Sequence, residues 1–264
     1  MGADERIVLK SQKEIEGLRQ AGRIASEARL LAKRSLKAGM TTKQLDRIIH
    51  DYIVSCGAYP TFLNYSGFPG SACISVNDEV IHGIPGKRVI HNGDIVSVDV
   101  GATYKGLVGD CAATFTVGKV EDEDLRLIEV TRQCFFEALK VAVPGNRISD
   151  IGRAVQSYAE VNGFSVVRDY VGHGVGHKLH EAPEVPNFVE ENKLPGRVRR
   201  LNPRLVPGMV IAVEPMINAG AYEIYVLDNG WTVKTQDGKK SAHYENTILI
   251  TENEPEILTM CEEI

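Results

Sequence analysis

"VIHGIPGKRVIHNGDIVSVDVGATYKGLVGDCAATF", residues 80–115, sets Asp99 and Asp110 into runs of valine, isoleucine and alanine that otherwise have the character of buried strands. An ionised carboxylate in such surroundings is costly unless something compensates its charge. The stretch also has a counterpart further along the chain. "NGDIVSVDVG" from Asn92 parallels "PGMVIAVEPM" from Pro207 at an offset of 115 residues, which lays Asp99 on Glu214. His82-Gly-Ile-Pro85 parallels His180-Glu-Ala-Pro183 at an offset of 98. At an offset of 106, Gly39 falls on Gly145, Leu45 on Ile151, Tyr52 on Tyr158 and Gly57 on Gly163. Self-similarity at a fixed spacing is the mark of internal repetition, here with a period longer than that of solenoid arrays.

Asp110 and Glu245 supply a second acid to each half. Each lies on the strand-like run after the first acid and is followed by a threonine-bearing β run, "DCAATFTV" and "ENTILIT". If the halves face each other across a pseudo-twofold axis, four carboxylates converge. Two like charges about 4 Å apart repel by about 4 kcal/mol at an effective dielectric of about 20, so the group needs counter-charge. Two divalent cations supply it. Oxygen-dominated ligation with one imidazole suits Mn(II), Fe(II) or Co(II) better than zinc.

The candidate imidazoles, His173, His177 and His180, lie in "GHGVGHKLHEAP", residues 172–183. Gly174 and Gly176 argue against a helix, and the glutamate of H-E-x-x-H is absent, so a zincin site does not fit. Nor does a dinucleotide loop, since G-H-G-V-G lacks the third glycine where it is required.

Outward from these motifs, the chain has the composition of an ordinary globular protein, with 264 residues, 43% hydrophobic and 25% charged. A net charge of -5 gives no general attraction to DNA or to a membrane. The polar N-terminal region and the lack of an 18-residue apolar run predict a cytoplasmic protein. Five scattered cysteines without a C-x-x-C pair fit reduced thiols. Ser11-x-x-Glu14 opens an amphipathic helix that runs to about Leu36, and Thr41-x-x-Gln44 opens a second that stops before Gly57. Helical periodicity returns over 127–142 and 149–161. The remainder reads as strands and turns, ending in the meander "YVLDNGWTVKTQDGKKSAHYENTILIT". The expectation is an α+β fold in one catalytic domain, 1–264, with halves at approximately 10–125 and 126–264.

The motifs "VNDEVIHGIP", "GDIVSVDVGATYKGLVGDCAATF", "VGHGVGHKLHEAP", "GMVIAVEPMI" and "YENTILI" together resemble the type I methionine aminopeptidases of the pita-bread fold, over essentially the whole chain. The resemblance implies a duplicated α+β fold around a central curved antiparallel sheet. It implies that Asp99 chelates one metal, that Asp110 and Glu245 bridge two, and that His173 and Glu214 complete the second. His82 is implied to contact substrate around the scissile amide, His180 to hydrogen-bond the carbonyl oxygen and the oxyanion formed from it, and Glu214 to shuttle a proton as well. The methionine pocket maps onto Phe62, Tyr65, Phe68, Cys73, Leu179 and Trp231. These aromatics and Cys73 also have an ordinary reading as core packing and an inert thiol.

Three features depart from the pattern. Phe62 stands where a smaller cysteine is common, Asn246 follows Glu245 where a histidine is usual, and "FVEENKLPGRVRRLNPRLVPG" after Asn187 reads as an insertion over 188–205. Its basic residues Lys193, Arg197, Arg199, Arg200 and Arg204 form a solvated loop face or, since the implied substrates are nascent polypeptide N-termini, a transient contact with the ribosome. The implied activity is removal of the initiator methionine from chains with a small second residue, by a monomer that binds neither DNA nor membrane. Two rivals share the fold: an Xaa-Pro aminopeptidase or dipeptidase, whose relatives usually carry a further N-terminal domain, and a non-catalytic binding module, which predicts damaged ligand positions.

Overall fold

Both N-terminal capping boxes form in the computed structural model, which describes residues 6–189 and 202–260. The Ser11 hydroxyl accepts from the Glu14 amide while the Glu14 carboxylate accepts from the Ser11 amide, which opens α1 (Gln12–Ser35). Thr41 and Gln44 do the same for α2 (Thr42–Ser55). Helix α3 (Asp122–Val141) begins five residues earlier than its apolar periodicity. Its first turn is acidic and has no apolar stripe, so only the Glu121 amide bonded to Asp124 at 3.3 Å marks the start. Helix α4 (Ile148–Val161) is opened by the Arg147 amide, which donates to Asp150 at 2.8 Å.

The strands, in chain order, begin with β1 (Tyr59–Pro60), β2 (Ala72–Val76), β3 (Glu79–Ile81), β4 (Ile95–Tyr104) and β5 (Leu107–Thr116). After α4 come β6 (Ser165–Val166), β7 (Gly172–Gly174), β8 (Glu181–Val185), β9 (Val210–Val213) and β10 (Met216–Asn218). The last five are β11 (Ile224–Val226), β12 (Val233–Thr235), β13 (Ser241–His243), β14 (Glu245–Leu249) and β15 (Glu256–Ile257). The main sheet runs β1-β4-β5-β14-β9-β7-β8, with β2 also on β4 and β15 also on β14. Its strands pair antiparallel, as the long register of β4 on β5 illustrates. The expected α+β class is therefore observed.

The internal repetition is carried by hydrogen bonds. Gly39 donates to the Ile90 carbonyl at 2.8 Å, and Gly145 donates to Leu205 at 3.1 Å. Ile90 donates to Met40 as Leu205 does to Asn146, and Thr42 donates to Arg88 as Ile148 does to Pro203. The bridge Thr41–Val89 is matched by Arg147–Arg204. In each pair the helix side moves by 106 residues and the strand side by 115, the two offsets read from the sequence. Gly93 and Gly208, also 115 apart, hold φ of 95° and 90°, a conformation only glycine adopts cheaply.

Each helix pair has its own core. Ala25, Ala28, Ala32, Leu45, Ile49 and Ile53 of α1 and α2 pack on Ile74, Val96, Val98 and Val100. Leu127, Phe135, Ile151, Val155 and Ala159 of α3 and α4 pack on Val185, Ile211, Val213 and Ile248. Helix α1 lies directly on the sheet at one point: a Cβ on Gly109 would meet the backbone of Ala21 and Gly22 at 2.4–2.5 Å. That close approach brings the helix backbone, and with it Arg29, against the centre of the sheet.

Lys193, Arg197, Arg199 and Arg200 lie outside the described residues, as does Cys261. Arg204 is described, and its guanidinium donates to the Gly145 carbonyl at 2.6 Å. Cys56, Cys73, Cys111 and Cys134 form no disulfide among the described residues. No described helix is long and apolar enough to cross a membrane.

The α1 cap carries a pH signature. Hydrogen bonds from the Ser11 side chain and amide, with His177 contributing less, pull Glu14 down from 4.5 to about 2. A lowered folded pKa means the stabilisation is present above pH 4.5 and lost as pH falls toward 2. Glu14→Gln is expected to cost about 1 kcal/mol or less at pH 7, given the residue's exposure. In urea titrations across pH, that difference from the unmodified protein should close as pH drops below 4.5.

Candidate metal centre

The main sheet sets the four acids on one face. Asp99 of β4 stands opposite Ala112 of β5, and Asp110 stands opposite Gly101, so the two aspartates are diagonal neighbours on the same side. Glu245 of β14 faces Ala112 from the other flank. Asn246 faces Val213, and one step along that antiparallel ladder brings Glu214, just past β9, beside Glu245. A single row thus crosses the sheet through Cys73, Asp99, Ala112, Glu245 and Glu214. Alanine at its middle leaves the space into which the carboxylates lean.

His173 enters from β7. Its Nε2 is 3.7 Å from Asp110 and 3.6 Å from Glu214. Its Nδ1 lies 3.0 Å from the Gly174 carbonyl, which can only accept, so Nδ1 bears the proton and Nε2 presents a lone pair. Donor atoms of Asp110, His173 and Glu245 all lie within 4.8 Å of one another. Oδ1 of Asp99, Oδ1 of Asp110 and Oε1 of Glu245 are buried without a hydrogen-bond partner. Lone pairs converging from three carboxylates and an imidazole, several of them orphaned, are the donor set of a divalent cation.

The electrostatics agree. Burial, and then the charge of Asp110, push Asp99 and Glu214 well above the usual carboxylate range; Glu245 is pushed up by burial and by Asp110 and Glu214. Burial raises Asp110 from 3.8 to about 7. The imidazoles move the other way. Burial, reinforced by His180, lowers His173 to about 3 and His82 to about 4, and burial lowers His180 as well. All three are neutral at pH 7, able to ligate or donate without adding charge.

Beside the acids lies a cavity of about 150 Å³. Every site residue expected from the sequence lines it: Phe62, Tyr65, Phe68, Cys73, Leu179 and Trp231 together with His82, His180 and the five acid and imidazole positions. Phe68 meets Trp231 edge-on at 5.2 Å between centroids. His82 is held between Tyr170 and Trp231, with its own backbone at φ 57°, a strained setting for a residue with a side chain. Tyr65 differs from the other pocket aromatics: it is 38% exposed, and its hydroxyl is 2.7 Å from His180 Nδ1. His177 is not part of the cavity; its ring contacts the Gly106 carbonyl and Glu14.

Two neighbours, Arg29 and His243, were not read from the sequence. Arg29 of α1 is buried and donates to the carbonyls of Ala112 and Glu245, to Asn246 and to Thr259, which sets a positive charge behind the acids. Its signal was an arginine within the alanine stripe of a helix. Asn246 takes the place of the usual histidine by seating that arginine, its Oδ1 also accepting from Thr259 at 3.1 Å. His243, two residues before Glu245, has its buried Nε2 at 3.8 Å from Glu214.

Residues 16–252 match the model of Metallopeptidase family M24. Methionine aminopeptidase of Clostridium acetobutylicum is 51% identical over 257 residues, covering 97% of this chain and 100% of that protein. Methionine aminopeptidase 1 of Bacillus subtilis is 48% identical over 253 residues, 96% of this chain and 99% of that one. The crystal structure of methionine aminopeptidase from Thermotoga maritima superposes with a TM-score of 0.91 at 40% identity, over 97% of this chain and 100% of that one. Prolidase from Pyrococcus furiosus, at 23% identity and a TM-score of 0.76, shares the fold over 66% of its length.

Since Asp110 holds its proton up to about pH 7 in the absence of metal, cation binding must displace it. The affinity for Mn(II), measured by calorimetry, is expected to weaken by about tenfold per displaced proton for each pH unit below 7. Asp110→Asn should abolish the thermal stabilisation by Mn(II), which for the unmodified protein is about 2.7 kcal/mol at 100 times Kd.

Proposed function

The chain belongs to metallopeptidase family M24, and from that premise we propose that it removes N-terminal methionine from new polypeptides whose second residue is small. The observation that carries this reading is the convergence of Asp110, His173 and Glu245, with Asp99 and Glu214 in the same lining, on a cavity whose other walls are largely aromatic and aliphatic. Asp99, Asp110, His173, Glu214 and Glu245 hold two divalent cations, of which Fe(II), Mn(II) and Co(II) suit the donor set. Such ions, when bound, polarise a peptide carbonyl and bring the pKa of water toward about 7.

The remaining chemistry belongs to the chain's own groups. The Glu214 carboxylate takes a proton from the attacking water and returns it to the departing amine nitrogen. His180 donates a hydrogen bond to the carbonyl oxygen, where charge grows in the transition state, so the interaction strengthens as the reaction proceeds. His82, neutral and wedged between two aromatic rings, contacts the scissile amide without bringing a competing charge. The cavity of about 150 Å³ admits one unbranched side chain, and Phe62, Phe68, Leu179 and Trp231 with the Cys73 sulfur suit a thioether. Phe62 in place of a smaller residue shortens the slot. Because both sequence halves contribute acids to one row, the chain works as a single catalytic domain.

The reading extends to a cytoplasmic monomer that meets its substrates at the ribosome, through the basic residues within 193–204. Reversing Arg197, Arg199 and Arg200 to glutamate is expected to lower salt-dependent co-sedimentation with ribosomes, and unchanged co-sedimentation defeats that part.

The activity itself is tested with metal-loaded protein on Met-Ala-Ser and on an Xaa-Pro peptide side by side. Cleavage of the first is expected; preference for the second overturns the reading in favour of a prolidase-like specificity. His180→Ala should lower kcat by about 100- to 1000-fold, the cost of losing one oxyanion donor.

A further inference from the structure

We propose that Tyr65 is a positioning residue that fixes the tautomer of His180, rather than a wall of the methionine pocket. The inference rests on the reading of His180 as the donor to the substrate carbonyl. A neutral imidazole offers one N–H and one lone pair, and only the tautomer with hydrogen on Nε2 leaves Nδ1 free to accept. Among the described residues, the hydrogen bond that His180's ring makes is the one of 2.7 Å between Nδ1 and the Tyr65 hydroxyl. A phenol O–H donating there holds the ring's hydrogen on Nε2, the nitrogen left for the cavity that His180 lines.

The two adjacent imidazoles meet different partners at Nδ1, a carbonyl that can only accept and a hydroxyl that can donate. His173 and His180 stand edge to face at 4.3 Å between centroids, close enough that their tautomers must be chosen separately. A backbone carbonyl at 3.0 Å draws the proton of His173 to Nδ1 and leaves a lone pair for a cation. A hydroxyl at Nδ1 of His180 leaves a proton for a carbonyl oxygen. One needs a pure acceptor beside it, the other a donor.

The local backbone is shaped for this contact. Tyr65 sits between Asn64 and Ser66, whose φ of 64° and 49° are both left-handed, and strain of this kind persists where the surroundings over-determine a conformation. The Asn64 amide closes the turn on the Phe68 carbonyl at 2.8 Å. Phe68 is 2% exposed and faces Trp231, whereas Tyr65 is 38% exposed, so the short turn divides the two aromatics between pocket floor and rim. Burial and the nearby Asp110 charge raise the Tyr65 phenol above its usual value, so its O–H is present at neutral pH.

The test uses histidine labelled with 15N in protein loaded with diamagnetic Zn(II), with His180 resonances assigned by their loss in His180→Gln. In the unmodified protein Nε2 of His180 is expected to have the shift of a protonated nitrogen and Nδ1 that of an unprotonated one. Tyr65→Phe, which keeps the ring, should move both toward the averaged values of a tautomer mixture. In the Mn(II)-loaded enzyme it should lower kcat for Met-Ala-Ser about tenfold with KM within about twofold, the scale of one lost hydrogen bond. Nδ1 found protonated in the unmodified protein, or identical spectra in Tyr65→Phe, overturns the proposal. So does a raised KM with unchanged kcat, which restores Tyr65 to the pocket wall. Failure of the unmodified enzyme to cleave Met-Ala-Ser defeats the assigned activity, while the nitrogen shifts still decide the tautomer.

Discussion

Four carboxylates buried in one patch of a single sheet are the constraint on which the molecule is built. In metal-free form they repel one another and hold protons well above their usual range. The fold tolerates this because the strands are fixed by packing elsewhere: each half has its own helix pair and its own apolar core, and neither core depends on the acids. The positive charge set behind them, Arg29, is engaged by backbone carbonyls of Ala112 and Glu245 rather than by the carboxylates. The carboxylate oxygens are therefore kept for a ligand, and conformational freedom is traded for a preformed donor set.

The same logic accounts for the neutral rings. Three imidazoles that burial keeps uncharged can sit among ionisable acids without neutralising them, and two of them, His173 and His180, differ in the atom that touches Nδ1. Position in the fold sets these contacts: the Gly174 carbonyl of β7 lies at Nδ1 of His173, and the Tyr65 hydroxyl, from a turn with left-handed neighbours, lies at Nδ1 of His180.

Much of this is legible in the sequence, for identifiable reasons. Acids inside valine-rich runs are rare enough to stand out, and the recurrence of the motif at 115 residues links Asp99 to Glu214 on pattern alone. The paired helices announce themselves through capping boxes and alanine stripes. The partition of ligands and the work of His82 and His180 come from family resemblance, since spacing carries no information on which atom faces which. The start of α3 is hidden because an acidic first turn has no periodicity. Arg29 is hidden because a long cationic side chain on a helix usually reaches solvent, whereas here it is held inward by carbonyls of Ala112, Glu245 and Thr259 that only the fold brings together. Tyr65 is legible as a residue of the pocket lining, but its contact with His180 is not, because composition does not report where a hydroxyl points.

The row of acids across β4, β14 and the end of β9 also has a temporal meaning. Asp99 and Asp110 are synthesised more than a hundred residues before Glu214 and Glu245, and an N-terminal half alone presents only a two-acid hairpin. Strand β14 lies between β5 and β9, so the candidate donor set is complete only when the C-terminal half has joined the sheet. A chain cut short before Glu245 lacks one acid of the row, so the full candidate donor set is also a mark of how far synthesis has run.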